Sequence, residues 1–178
     1  KRPFADAQGL KAYAKEKLAL YKDHAVTQAY RNNGTPMMVD ILNKAGGFPS
    51  RYWSQGSVAQ YEKINAQSIR ERCQPKPKAC RTCFLACGKS VRVQQGRHQG
   101  LTLEGPEYET MAALGSACGV DDLNAIAKAS ELCNAYSLDS ISTGLSIAFA
   151  MECFENGFLT SADTGGIDLK FGNAAAML

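Results

Sequence analysis

Cys80, Cys83 and Cys87 lie within eight residues in the order Cys-x2-Cys-x3-Cys, and Gly88 follows them. Thiols this close cannot pair with one another in relaxed disulfide geometry, but as thiolates they can converge on one soft metal centre. A cubane iron–sulfur cluster is commonly held by three cysteines from a short run and a fourth from elsewhere. Structural zinc is a second reading, but it asks for a further Cys/His pair at matching distance, and His98 has no such companion. Three small apolar residues of a core are the third reading. The spacing favours a metal site, and iron–sulfur over zinc.

Lys76, Lys78, Arg81, Lys89 and Arg92 flank these thiols. A thiolate-held cluster is anionic, so nearby cations can stabilise it and tune its potential. They can also attract an acidic electron-carrier protein. For any one of them, a solvated position on a basic loop is an equal reading.

The elements that must position this run are mainly helical. Residues 5–22 place Leu10, Tyr13, Ala14, Leu18 and Tyr21 at helical spacing among lysines, which predicts an amphipathic helix. Residues 30–35 carry turn chemistry, and Thr35 is placed to cap a helix that starts at Pro36 and ends at Gly46-Gly47. An irregular loop, Gly47 to Gly56, then holds the single Trp53 beside Arg51, and such loops often carry function. Residues 57–72 read as a helix, stopped before the cysteines by Pro75 and Pro77. Ser90 to Leu103 alternates and is punctuated by glycine, which predicts a hairpin or loop excursion.

The stretch Glu104 to Thr110 predicts a helix with Pro106 at its first position, acids in its first turn and an end at Gly119. Glu107 and Glu109 then complement the positive end of that helix. Glu104 precedes it and is free to face a site as a proton-transfer group. Residues 121–137 form another helix with Asp121 or Asp122 as cap, and Cys133 on it belongs to the core. The turn from Leu138 to Gly144 is rich in hydroxyls, and Ser142 or Thr143 is placed to cap a helix over 143–156. That helix is apolar nearly all round, which predicts burial, and Asn156-Gly157 ends it. Asp139, not needed as a cap in that reading, is then a carboxylate at the mouth of a buried helix pair, where it requires donors such as a polar ligand.

At 178 residues the expectation is one α-helical domain over 1–178, large enough to bury a core. A net charge of +3, with no arginine-rich arm, argues against nucleic acid. No run of about 18 uncharged apolar residues is present to span a membrane. Seven cysteines, an odd number with three crowded together, suit a reducing cytoplasm better than a secreted disulfide framework. The chain begins Lys1-Arg2-Pro3 and stops in Asn173-Ala-Ala-Ala-Met-Leu178, which reads as a helix cut short and suggests an excised domain.

Six motifs in order carry a resemblance to a known family. They are Gly47-Phe-Pro-Ser-Arg51, the cysteine run with Gly88, Leu103-Glu-Gly-Pro-Glu-Tyr-Glu-Thr110, Asp139-Ser-Ile-Ser-Thr-Gly144, Ala148-Phe-Ala-Met-Glu-Cys153 and Phe171-Gly-Asn-Ala-x-Ala-Met-Leu178. Together they resemble the aldehyde:ferredoxin oxidoreductases, tungsten enzymes with a bis-pterin cofactor beside a 4Fe-4S cluster. The resemblance covers nearly the whole chain and implies the second, helical domain of a three-domain enzyme. It implies Cys80, Cys83 and Cys87 as cluster ligands, with the fourth cysteine in the following domain. It places Asp139 against one pterin, with Ser142 and Thr143 near it. Glu104 matches the active-site glutamate best by its distance from Cys87, with Glu107 as the alternative. A histidine from the third domain would complete the site, and neither His24 nor His98 suits that role.

Two departures from the family pattern stand out. The Glu-x-x-His iron site of some relatives is replaced here by Cys133-Asn-Ala-Tyr136, so no such iron is expected. The usual Arg-Asn of the first loop is Arg51-Tyr52, alongside Trp53, which alters the substrate pocket. The implied reaction is oxidation of a small aldehyde to a carboxylic acid, with electrons passing to ferredoxin or another carrier protein and with tungsten or molybdenum at the pterin. Glu104 would be the proton acceptor for the aldehyde hydrate. The implied partners are that carrier and the flanking domains, with association into a homo-oligomer left open. Two other readings of the residues stand beside it: an iron–sulfur electron-transfer module without pterin, where Cys73 supplies the fourth ligand, and a zinc-stapled structural domain.

Overall fold

The core forms where three consecutive stretches of helix meet in the C-terminal half of the chain. In the computed structural model, which describes residues 3–178, eight α-helical segments and one small sheet account for the regular structure. They are α1 (Ala7–Tyr21), α2 (Ala25–Asn33), α3 (Met38–Lys44), α4 (Ala66–Cys73), α5 (Tyr108–Thr110), α6 (Leu123–Ala135), α7 (Ser140–Glu155) and α8 (Ala174–Met177). The strands are β1 (Lys76–Lys78), β2 (Gly88–Arg92) and β3 (Thr102–Glu104). The fold is mainly α, as the sequence predicts.

α5 continues through a π turn (Met111–Gly115) and a 3-10 turn (Ser116–Cys118) to Gly119, whose φ of 68° ends the run. This segment lies against α7. Met111, Leu114, Leu123, Ile126, Ala148 and Met151 are all fully buried there. Gly144 makes the contact close: a Cβ on it would fall 2.6 Å from the carbonyl carbon of Ala113. The glycine of the Asp-Ser-Ile-Ser-Thr-Gly motif is therefore a packing residue, because no side chain fits between the two backbones. The Cys118 thiol donates towards the carbonyls of Ala113 (3.3 Å) and Gly144 (3.4 Å), joining the same two segments.

Several elements differ from the sequence expectation. α2 runs through Asn33, so Tyr30–Asn33 are helix and the stop is Gly34, with φ 68°. Over 57–72 the helix starts only at Ala66, because Asn65 interrupts it and caps α4 by accepting from the Ser68 amide at 3.0 Å. α7 begins at Ser140 and its cap is Asp139 itself, not Ser142 or Thr143. It is also less buried than its composition suggests. Only Gly144, Ala148 and Met151 are buried, since one face alone meets the π turn and α6, while Ile141 and Phe149 remain exposed. α1 buries none of its residues, so its apolar stripe of Leu10, Tyr13, Leu18 and Tyr21 is exposed.

The sheet is antiparallel in the order β1-β2-β3, with Lys78 opposite Gly88 and Ser90 opposite both Lys76 and Glu104. The hairpin expectation for 90–103 holds in β2 and β3. This register hangs the cysteine run on the connection between β1 and β2 and sets Glu104 on the neighbouring strand.

Candidate functional site

The cysteine loop is left by β1 and closed by β2, and its backbone is bent by two non-glycine residues in the left-handed region, Thr82 (φ 65°) and Ala86 (φ 51°). Such residues cost free energy and persist where surrounding contacts over-determine them. Two contacts are evident: the Cys83 amide donates to the Cys80 carbonyl at 3.0 Å, and Arg31 of α2 donates to the Phe84 carbonyl at 3.2 Å. Cys80 and Cys83 are exposed and Cys87 is half-buried, each a free thiol. Among the described residues no three His, Cys, Asp or Glu side chains come together as a metal site. The three thiols thus share a loop but not a common point. Cys73 is apart from them in character: it is buried in the core, and burial pushes its thiol pKa up, with Arg72 opposing.

Immediately below the loop, alternation along β2 turns Lys89 inward, where it is only 4% exposed. Its ammonium donates to the Cys87 carbonyl at 2.7 Å and reaches the carbonyls of Tyr30, Ala86 and Gly88. Burial pushes its pKa down, and the charges of Glu107 and Cys87 push back. Nearby, Glu104 and Glu107 approach the same place: each has a carboxylate oxygen 3.9 Å from where a Cβ on Gly88 would stand. Glu104 is exposed and paired with Lys78 across the sheet. Glu107 is half-buried and accepts a hydrogen bond from the Thr35 hydroxyl.

That hydroxyl has a second task, since Thr35 Oγ1 accepts from the Tyr108 amide at 2.8 Å. The first free N–H of α5 is capped from a residue 73 positions away, not by its own N-cap residue Glu107. Pro106, expected at the first helical position, instead precedes the N-cap. Thr35, read from the sequence as a local cap, is what joins the first 3-10 turn, Thr35–Met37, to the carboxylate. Sequence reasoning missed that role because nothing in the spacing announces so distant a contact.

Asp139 and Ser142 stand at the exposed N-terminus of α7. The Ser142 amide donates to Asp139 Oδ2 at 2.7 Å. This bond, helped by the Ser142 side chain, holds the Asp139 carboxyl below the usual range. The expected burial of Asp139 is corrected: the carboxylate finds its donor in the helix it caps and faces solvent. Thr143 is half-buried and lines an apolar groove with Leu138 and Ile147, away from a shared site with Asp139. Between the N-termini of α5 and α7, which the Thr110 and Ser140 hydroxyls join at 2.9 Å, lies an apolar cleft of about 150 Å³. Trp53, Tyr108, Ile141 and Leu145 line it, and Glu109 is its one acid. The loop that brings Trp53 there holds Arg51 and Tyr52 in the left-handed region, and their amides donate hydrogen bonds to the carbonyls of Ser116 (2.9 Å) and Ala117 (2.7 Å).

The site thus consists of a cysteine loop beside a buried cation, two carboxylates near Gly88 and an acid-capped helix. Residues 12–178 match the family model described as aldehyde ferredoxin oxidoreductase, domains 2 and 3. The chain belongs to the aldehyde ferredoxin oxidoreductase family. It is 32% identical over 177 residues to the tungsten-containing aldehyde ferredoxin oxidoreductase of Thermococcus kodakarensis, covering 98% of this chain and 29% of that protein. It is 31% identical to the enzyme of the same name from Pyrococcus furiosus, again over 98% of this chain and 29% of the relative. A shorter match, 32% over 94 residues, covers 53% of this chain and 15% of the WOR-like subunit of an aliphatic sulfonate oxidoreductase from Pyrococcus furiosus. The chain therefore spans less than a third of the aldehyde ferredoxin oxidoreductases it matches. Among the described residues no helix is long and apolar enough to cross a membrane.

Proposed function

We propose that this chain is the second, cluster-bearing domain of a cytoplasmic oxidoreductase that converts small aldehydes to carboxylic acids and passes the electrons to ferredoxin or a similar carrier. The observation that carries the reading is the loop of three free thiols, none consumed in a disulfide, lying over the Lys89 ammonium. That donor set suits a cluster: soft, anionic ligands on one side and a fixed cation behind them. Cys80, Cys83 and Cys87 would hold three corners of a 4Fe-4S cluster, with the fourth ligand outside these residues.

The aldehyde plus water gives the acid, two protons and two electrons. When bound, a tungsten or molybdenum bis-pterin supplies the two-electron redox chemistry, and the cluster relays electrons singly. The protein's part is to hold the cofactors, exclude water and accept a proton. Asp139 supports the pterin contact, because its carboxylate is fixed by Ser142 yet faces outward with a free oxygen for the ligand's N–H groups. Ser142 lies beside it on the exposed turn, while the inward position of Thr143 supports it less.

Two carboxylates compete for the proton-accepting role. Glu104 is exposed and engaged by Lys78. Glu107 is half-buried and held in one orientation by the Thr35 hydroxyl, which supports it over Glu104. The apolar cleft at Trp53 and Leu145 suits the hydrocarbon part of a small substrate.

The test uses the full-length protein purified without oxygen. Tungsten or molybdenum with iron, and dye reduction that depends on added aldehyde, are the expected results. Iron and sulfide without the heavier metal would point to the electron-transfer module, and zinc alone to a structural staple. Glu104→Gln and Glu107→Gln are each expected to leave metal content intact, and the one that removes the proton acceptor should lower kcat by about 10²- to 10⁴-fold. Near-normal turnover in both would retire the assignment.

A further inference from the structure

The buried ammonium of Lys89 is a larger anomaly than any other basic residue near the thiols. The side chain is 4% exposed, whereas Lys76, Lys78, Arg81 and Arg92 are all exposed. A lysine is almost never buried to this degree unless its charge is answered. Here it is answered by backbone carbonyls: Cys87 at 2.7 Å, Tyr30 at 3.3 Å, and Ala86 and Gly88 at 3.4 Å each. Three of those four belong to consecutive residues around the last thiol. The fourth, Tyr30, lies in the last turn of α2, where the helix dipole favours a cation, and its carbonyl also accepts from the Gly34 amide at 2.8 Å.

The surrounding backbone is shaped to admit it. A Cβ on Gly34 would stand 3.0 Å from the Cys87 carbonyl oxygen and 3.4 Å from Lys89 Nζ, so the turn after α2 closes on this spot only without a side chain. Ala86, whose carbonyl is one of the acceptors, holds a left-handed φ of 51°. The ammonium thus ties together the end of α2, the strained end of the cysteine loop and the start of β2.

We infer that Lys89 is a positioning residue for the cluster: it fixes the Cys87 end of the loop and sets a fixed positive charge behind it that raises the cluster's reduction potential. The inference rests on the reading that Cys80, Cys83 and Cys87 hold a cluster. The electrostatic argument is one of screening. Charges on the exposed lysines and arginines are weakened by water and salt, while a buried cation acts through a medium of lower dielectric. Reduction adds one electron to an already anionic centre, so a fixed cation nearby stabilises the reduced form.

The test is made on the full-length enzyme, with Lys89→Gln and Lys89→Arg compared with the unaltered protein. Glutamine removes the charge and keeps N–H donors on a chain one bond shorter; arginine keeps the charge on a longer one. Iron and acid-labile sulfide are assayed first, and the midpoint potential is then read from the cluster's EPR signal during a dithionite titration. The expected result is a potential displaced in the negative direction in Lys89→Gln and close to the unaltered value in Lys89→Arg. Loss of iron or of folded protein in Lys89→Gln, restored in Lys89→Arg, supports the same conclusion, because only the arginine returns a cation to the ring of carbonyls. A full cluster with an unmoved potential in Lys89→Gln overturns the inference and leaves the cluster reading intact. Equal failure of both variants to fold would show packing without a need for charge and would also overturn it. Absence of iron and sulfide from the unaltered enzyme removes the cluster reading, and this inference with it.

Discussion

Replacing Thr35 by valine removes one hydroxyl and nothing else of comparable size, and the structure says where the loss is felt. The Tyr108 amide, now donating to Thr35 Oγ1 at 2.8 Å, would face a methyl group. Glu107 would lose the hydroxyl that donates to it. An amide left without its acceptor costs about 1–3 kcal/mol when fully buried. Tyr108 is half-buried, so the lower part of that range applies, about 1–2 kcal/mol. At about 1.4 kcal/mol per factor of ten, the first turn of α5 should open roughly 5- to 30-fold more often. Amide hydrogen exchange on the full-length protein, read on peptides that contain Tyr108, measures this directly. Thr35→Ser keeps the oxygen and should exchange as the unaltered protein does. If the valine and serine variants exchange alike, the cap from Thr35 contributes nothing and the link from the first 3-10 turn to α5 is wrong.

Gly144→Ala places a Cβ 2.6 Å from the Ala113 backbone, so α7 must shift, and a loss of about 1–3 kcal/mol is expected from urea unfolding of the intact protein; no loss would mean that the helix slides freely. The Asp139 carboxyl is held below its usual range by the Ser142 amide, so its contribution is present above the unfolded pKa of about 3.9 and is lost as pH falls through the lower folded value. The unfolding midpoint of the unaltered protein should therefore exceed that of Asp139→Asn near neutrality and converge on it in acid; parallel pH profiles would contradict the cap. Finally, stripping iron with a chelator in the absence of oxygen should open Cys80, Cys83 and Cys87 to alkylation. Cys118, whose thiol pKa burial pushes up to about 12, should stay unmodified until the protein unfolds, as mass spectrometry of the peptides would report.

The parts of this fold that were legible in the sequence are those governed by neighbours along the chain. The Asp122 cap of α6, the stop before Pro75 and the turn at Asn156-Gly157 all obey local chemistry, and each stands where it was expected. The ordered motifs, from the glycine-led first loop to the Asp139 turn, were sufficient to indicate the family before any geometry was available. What was not legible depends on distant contacts. The Pro106 helix start failed because the cap of α5 comes from Thr35. The apolar composition of α7 suggested full burial, yet burial is set by what packs against each face, and only the face with Gly144, Ala148 and Met151 meets the core. Lys89 looked like one more basic residue of a solvated loop. Only the pleat of β2 and the end of α2 turn it into a buried charge.

Within the candidate site, residue types were more informative than residue roles. The three cysteines, Glu104 and Asp139 could each be picked out by type and spacing, and Glu107 by the family resemblance. Their ranking could not, because it depends on burial and on which oxygen is already engaged. Glu104 has Lys78 as its partner, Glu107 has Thr35, and Asp139 has the helix it caps.

The claim beneath all of this is that the thiols of Cys80, Cys83 and Cys87 anchor an iron–sulfur cluster. Iron and acid-labile sulfide should be measured in the full-length protein, prepared without oxygen, beside its Cys83→Ala variant. About four of each per chain, falling sharply in the variant, is the predicted result. Iron and sulfide absent from the unaltered protein, or unchanged in the variant, would contradict it.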